Sequence, residues 1–450
     1  MTWSGPWTPW SRPRTRQQGP DGCRMPDPVT APEVAKPGRT LAEKILSAHA
    51  GAPARAGDIV VCEADLILGT DGSTPMAMDY FQAMGGKRVS RPDRVLLARD
   101  HYSPPTSPST MGFHARMEAF AAEHGVELLP VGGGISFQVA LEAGRVGPGD
   151  LVVGADSHSV TCGAVGAFAT GIGSADLAGA FLTGKVWLRV PESMQVVLAG
   201  ALPAGVGAKD LALEVVRAVG SDGAAYTAVE FVGPVAAALP VEERMVLSNM
   251  SAEMGAKAGI FPTGVGRGVA SAAADADAES DSDARFVREI RLDCSALVPR
   301  VALPHQPANG VPVSEVRGTA VDWVFLGTCT GGRVHDFRDA LRVLDAGGGI
   351  ASGVTVVVTP PSPLVRATLE GDGTLDRLAA HGAVITETGC GPCCGTSGPI
   401  PPPNAQVIST ANRNFQARMG EASAAIHLAS PATCAAAATA GRIVDPREVA

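Results

Sequence analysis

Residues 151–158 read LVVGADSH. The first four are apolar or small, the length of a buried strand. Asp156, Ser157 and His158 follow at once, and the next stretch, SVTCGAVG, reads as a glycine-rich helix start. The same grammar recurs in RVLLARDH (94–101), VDWVFLGT (321–328), GVTVVVTPPS (353–362) and AQVISTANRN (405–414). Each β-branched run ends in a polar or glycine-rich loop, and Ala-rich helical stretches lie between them. Strands alternating with helices predict an α/β fold with mostly parallel sheets. In such sheets ligands bind at the carboxyl ends of strands. A helix start after a strand end is electropositive and suits a carboxylate or phosphate.

The polar clusters sit in that position. GCGPCCGTSG (389–398) puts Cys390, Cys393 and Cys394 on a glycine- and proline-rich turn, and GTCTGGR (327–333) supplies Cys329. Three thiolates from two strand-end loops suit an iron–sulfur cluster, zinc or a redox pair; spacing leaves the three open. Asp100 and His101 end another strand, a pair able to orient a proton donor. Glu230, in TAVEFVG, is a lone carboxylate in an apolar run. STANRNFQARMG (409–420) carries Asn412, Arg413 and Arg418, and two arginines five apart suit substrate carboxylates. GGGIS (132–136) lacks the spacing of a dinucleotide-binding loop.

The 450 residues imply several domains, and the 45% apolar content is ample for their cores. No run of about 18 uncharged apolar residues predicts a membrane helix. No hydrophobic leader precedes a cleavage site, so the expected location is cytoplasmic. A net charge of −9 gives no basic footprint for nucleic acid. Nine cysteines, an odd number, argue against a disulfide framework. Cys62, Cys162, Cys294 and Cys434 lie among small or apolar residues and read as buried hydrophobes. The division expected is a disordered extension (1–38), with Met25 an alternative start, then α/β domains at 39–193, 194–290 and 291–450. A capping box of Thr40 and Glu43 opens the first helix. The acidic stretch 263–283 reads as an exposed loop, and 303–313 as a linker.

Thiolates, an Asp–His pair, a second histidine and paired arginines fit Lewis-acid chemistry on a polycarboxylate. With EKILSAHAG, DHYSPP, GGGISFQ, GADSHSVTCGAVGAFATGIGSAD, YTAVEFVG, RMVLSNMSAEMGAKAG, GTCTGGR, CGPCCG and STANRNFQARMG in series, the chain resembles the aconitase superfamily. It is most similar to the isopropylmalate dehydratase large-subunit branch, from about Thr40 to Arg447. The resemblance implies three α/β/α domains around a [4Fe–4S] cluster held by Cys329, Cys390 and Cys393. It implies that the swivel domain is absent from this chain. One iron would stay open to the substrate hydroxyl and carboxylate.

By the same carry-over, Asp100 and His101 protonate the departing hydroxyl, and Asp156, His158 and Glu230 support them. Ser157, Arg413 and Arg418 bind substrate carboxylates, and Asn412 lies beside the cluster. Cys394 stands where the family has an aliphatic residue and is expected to be a spectator. A small swivel-domain partner subunit would supply the base, giving a heterodimer. The implied activity is a hydro-lyase of amino-acid (leucine-type) biosynthesis acting on 3-isopropylmalate or a related alkylmalate or homoaconitate-type di- or tricarboxylate. Four positions depart from the pattern: Thr70, Phe137, Thr328 and Gly331. Phe137 replaces a histidine, which argues for a specialised substrate or a weakened activity. A regulatory RNA-binding protein and a non-catalytic scaffold are the competing classes, the former opposed by the net charge.

Overall fold

The computed structural model describes residues 37–262 and 278–449. The expected extension up to residue 36 and most of the acidic stretch lie outside the described residues.

Among the described residues three larger sheets carry the chain, beside a two-stranded antiparallel pair of Ile59–Glu63 and Lys185–Arg189. The first orders its strands Glu127–Leu128, Val95–Ala98, Leu66–Thr70, Leu151–Gly154 and Phe168–Gly171, all parallel. The second orders Ala258–Ile260, Thr227–Val232, Glu192–Ala199 and Arg288–Asp293, also all parallel. The third has seven strands: Gly310–Pro312, Arg300–Ala302, Ala425–Ala429, Gln406–Ser409, Trp323–Gly327, Thr355–Thr359 and Val384–Ile385. Its last five are parallel, and an antiparallel hairpin forms its first edge. Strands such as Leu66–Thr70 and Trp323–Gly327 are buried along their whole length. That is why they read as continuous apolar runs rather than alternating ones.

The helix Leu41–Ala50 begins with the expected capping box: Thr40 accepts from the Glu43 amide, and the Glu43 carboxylate accepts from the Thr40 amide. The 303–313 segment is not a linker. Gly310–Pro312 pairs with Arg300–Ala302 and extends the third sheet. Its prolines flank or end the pairing, where a missing N–H costs no ladder bond. The end of the acidic stretch is tied down: Asp281 pairs with Lys44 at 2.7 Å and accepts from the Arg39 amide.

Candidate active site

Three adjacent strands of the first sheet end at one edge and deliver acids and imidazoles there. Asp71 follows Leu66–Thr70, Asp100 and His101 follow Val95–Ala98, and Asp156 to His158 follow Leu151–Gly154. Their side chains form a continuous polar chain. The His101 Nδ1–H donates to Asp100 at 2.8 Å, and its Nε2 lies 3.7 Å from Asp156. Asp156 caps the next turn by accepting from the His158 amide at 2.7 Å, with His158 Nδ1 at 3.5 Å. The far nitrogen, His158 Nε2, reaches Glu253 at 2.9 Å, and Glu253 accepts from Arg413 Nε at 2.8 Å. Asp71 underpins His101: it accepts from the His101 and Tyr102 amides and pairs with His114 at 2.8 Å.

Proton affinities follow from this pairing. Burial disfavours the His101 imidazolium, but the Asp100 and Asp156 carboxylates outweigh it and hold His101 well above the ordinary imidazole value. Burial raises Asp156, yet His158 and His101 win and keep it ionised far below the usual range. The site therefore holds a charged, hydrogen-bonded imidazole against a charged carboxylate.

Sheet three supplies the opposite wall. Cys329 sits in the turn Thr328–Gly331 after Trp323–Gly327. Cys390 and Cys393 sit at the turn Gly391–Cys394, whose strand is Val384–Ile385. Asn412, after Gln406–Ser409, joins the two loops: its Nδ2 is 3.4 Å from Cys329 Sγ and its Oδ1 3.7 Å from Cys393 Sγ. Asn249, whose Nδ2 donates to Thr161 at 2.9 Å, also bonds Asn412, at 3.3 Å. Arg418 Nη2 approaches Cys393 Sγ at 3.8 Å. The Cys390 amide donates to the Asp100 carbonyl at 2.9 Å, so the two walls meet directly. Asp100, His101 and Cys390 place one ligand atom each within 4.8 Å of one another.

The loops are tightly fitted. Gly391 has φ +53, and a Cβ there would lie 2.4 Å from Thr359 Oγ1. A Cβ at Gly331 would lie 2.3 Å from Thr410 Cβ, which gives a steric reason for glycine in TCTGGR. Thr328 adopts φ +59, a strained conformation for a β-branched residue, and its buried Oγ1 has no partner. Phe137 is buried in one apolar group with Cys329 and Cys390. It forms a dry backing to the thiols, where a histidine would need a polar partner. Thr70 turns back to Ser73 at 3.1 Å.

Some expectations fail here. Glu230 does not join the acid–base chain: it accepts from the Leu41 amide at 3.2 Å and the Ser280 hydroxyl at 2.8 Å, at the start of the first helix. Burial pushes it up to about 7. Glu253 takes the place expected of it. The turn after Asp156 is a 3₁₀ segment rather than an α-helix, and Asp156 itself accepts from its second amide, that of His158. Arg413 is paired with Glu253, whereas Arg418 keeps a buried Nε without a partner. Ser157 is exposed and, with Asp156, lines one end of a cavity of about 480 Å³. Cys394 is half-buried and bonds Thr396 at 2.9 Å.

The thiol wall fits an iron–sulfur cluster by the chemistry of its donors. All eight described cysteines are free, and Cys329, Cys390 and Cys393 are buried. Burial pushes the Cys329 thiol up to about 12 and Cys390 well above its usual value. Such thiols lose their protons only when a cation is bound.

Comparisons with known proteins agree in kind. A family model described as the Aconitase family (aconitate hydratase) matches residues 43–318 and 314–441. The 3-isopropylmalate dehydratase large subunit 1 of Methanopyrus kandleri is 44% identical over 415 residues, covering 91% of this chain and 99% of that one. The 3-isopropylmalate dehydratase large subunit of Nitratidesulfovibrio vulgaris is 43% identical, with 90% and 99% covered. The homoaconitase large subunit of Thermus thermophilus is 43% identical, with 92% and 98% covered.

Proposed function

The chain belongs to the aconitase family of hydro-lyases, and from that premise we propose that it dehydrates and rehydrates a 2-substituted malate, with 3-isopropylmalate the first substrate to test. The observation that carries this reading is the meeting of proton donor and thiol: His101, braced by Asp100, has its ring within 4.8 Å of Cys390 Sγ. Cys329, Cys390 and Cys393 would hold a [4Fe–4S] cluster. When bound, that group supplies a Lewis acid for a hydroxyl and a carboxylate.

The chain's own residues do the proton work. Elimination needs a proton for the departing hydroxyl, and His101 is held protonated for that purpose by Asp100 and Asp156. Asp71 fixes its backbone by accepting hydrogen bonds from the His101 and Tyr102 amides, and Asp100 holds the ring itself at Nδ1. His158 and Glu253 orient Arg413 at the same edge, and Arg418 has an unused donor for a substrate carboxylate. The matching removal of a carbon-bound proton needs a base. We assign it to a small partner subunit, a reading supported by relatives named large subunits.

Homoaconitate is the second substrate, because one relative carries the homoaconitase name. The test is steady-state dehydration by the anaerobically reconstituted chain, with and without a small partner, on 3-isopropylmalate and homoaconitate. The expected result is turnover that requires both iron and partner, with the higher kcat/KM on 3-isopropylmalate. Reconstituted protein that binds these acids without turning either over, partner present, would overturn it.

A further inference from the structure

Lys209 is a cation where physics disfavours one. It is 3% exposed and stands second in the helix Ala208–Val219. The first turn of a helix favours anions, and a buried ammonium without a counter-ion is costly. Among the described residues no carboxylate lies within ion-pair distance of its Nζ. Its neighbour Asp210 is engaged elsewhere, accepting from the Gly207 amide at 3.0 Å and the Arg300 amide at 2.8 Å. Lys209 Nζ instead donates to the carbonyls of Ala411 at 2.7 Å and Thr410 at 3.2 Å, with Met250 Sδ at 3.7 Å. The next residue along is Asn412, which touches both Cys329 and Cys393.

We infer that Lys209 is the counter-charge of the thiol wall: it grips the Thr410–Ala411 peptide from behind and neutralises the thiolates of Cys329 and Cys393 once they ligate. The inference rests on the cluster reading above. Three thiolates bring negative charge into a dry site, where a nearby buried cation acts strongly. Burial lowers Lys209 to about 8, and the groups pulling it back up are Cys329, Cys434, Cys393 and Glu253. Ammonium and thiolates thus stabilise each other, and neither is comfortable alone. Lys209 is a positioning residue, since it reaches the thiols through the Asn412 loop.

The experiment compares wild type with Lys209→Gln, which keeps a donor but no charge, and Lys209→Arg, which keeps the charge. Iron and sulfide content, the cluster midpoint potential and the melting temperature of apo and reconstituted protein are measured. Lys209→Gln should bind less iron and show a more negative midpoint. Its apoprotein should melt no lower than wild type, while its gain on reconstitution shrinks. Lys209→Arg should restore the potential. If glutamine prevents folding, Lys209→Met is read the same way, and failure of both as apoproteins overturns the inference. So would a wild-type potential and iron content in Lys209→Gln, or equal melting losses with and without cluster, because those describe a purely structural pin. A wild type that takes up no cluster would instead sink the preceding reading and this one together.

Discussion

On the first-sheet wall every acid already meets a base or a donor: Asp100 has His101, Asp156 has the His158 amide, and Glu253 has His158 and Arg413. The third-sheet wall is the reverse. Cys329, Cys390 and Cys393 are buried, burial pushes the Cys329 and Cys390 thiols up, Thr328 is strained with an unpaired hydroxyl, and among the described residues no carboxylate pairs with Lys209. One wall is satisfied by the chain alone and the other is not. The chain of paired acids and imidazoles is assembled by the polypeptide itself as it folds. The thiol wall is a socket whose discomfort is relieved by a cationic guest.

The largest effect is expected at the proton donor, His101. His101→Asn should reduce kcat by roughly 10²–10⁴-fold, the usual worth of a positioned general acid, while iron content stays at the wild-type level. Loss of iron in that variant would mean that the two walls are not separable. Glu253→Gln should cost a smaller factor, about tenfold or more, by loosening His158 and Arg413, whereas Glu230→Gln should leave turnover unchanged. Equal losses in the two variants would restore Glu230 to the site.

A pH profile sharpens the same contrast. His101 must be protonated to act, so kcat should fall as pH rises through its raised pKa. Asp100→Asn removes a carboxylate that raises it, so the alkaline limb should move to lower pH. A limb that does not move would assign it to another group. The smallest effect concerns stability. Glu230 has a raised folded pKa, so its favourable contribution is full near pH 4.5 and is lost as pH passes about 7. Glu230→Gln cannot ionise, and its melting temperature relative to wild type should climb between about pH 4.5 and pH 7 and level off above that. A constant difference would show that Glu230 is not held protonated.

The sequence carried the fold through its strand runs, because strands buried on both faces are written as unbroken apolar stretches. It also carried the strand-end residues Asp100, His101, Asp156 and the three cysteines. Asp71 obeys the same rule, directly after Leu66–Thr70, but nothing in the sequence marks it as the support of the His101 backbone. Glu253 was hidden for a different reason. It sits in the 3₁₀ segment Ser251–Met254, and only the packing of that segment on residues 157–165 brings it to His158. Glu230 looked equivalent in one dimension, a carboxylate in an apolar run. Lys209 could not be read at all, since a lysine at a helix start is ordinarily solvated. The 303–313 segment misled through its prolines, whose short pairing with Arg300–Ala302 is set by tertiary contact.

Which thiols form the socket is tested most directly at the cysteines themselves. Iron and acid-labile sulfide should be measured in anaerobically reconstituted wild type, Cys393→Ala and Cys394→Ala, together with visible absorbance. About four irons per chain are expected in wild type and in Cys394→Ala, and nearly none in Cys393→Ala. Equal loss of cluster from both variants, or full retention in Cys393→Ala, would contradict the assignment of Cys329, Cys390 and Cys393.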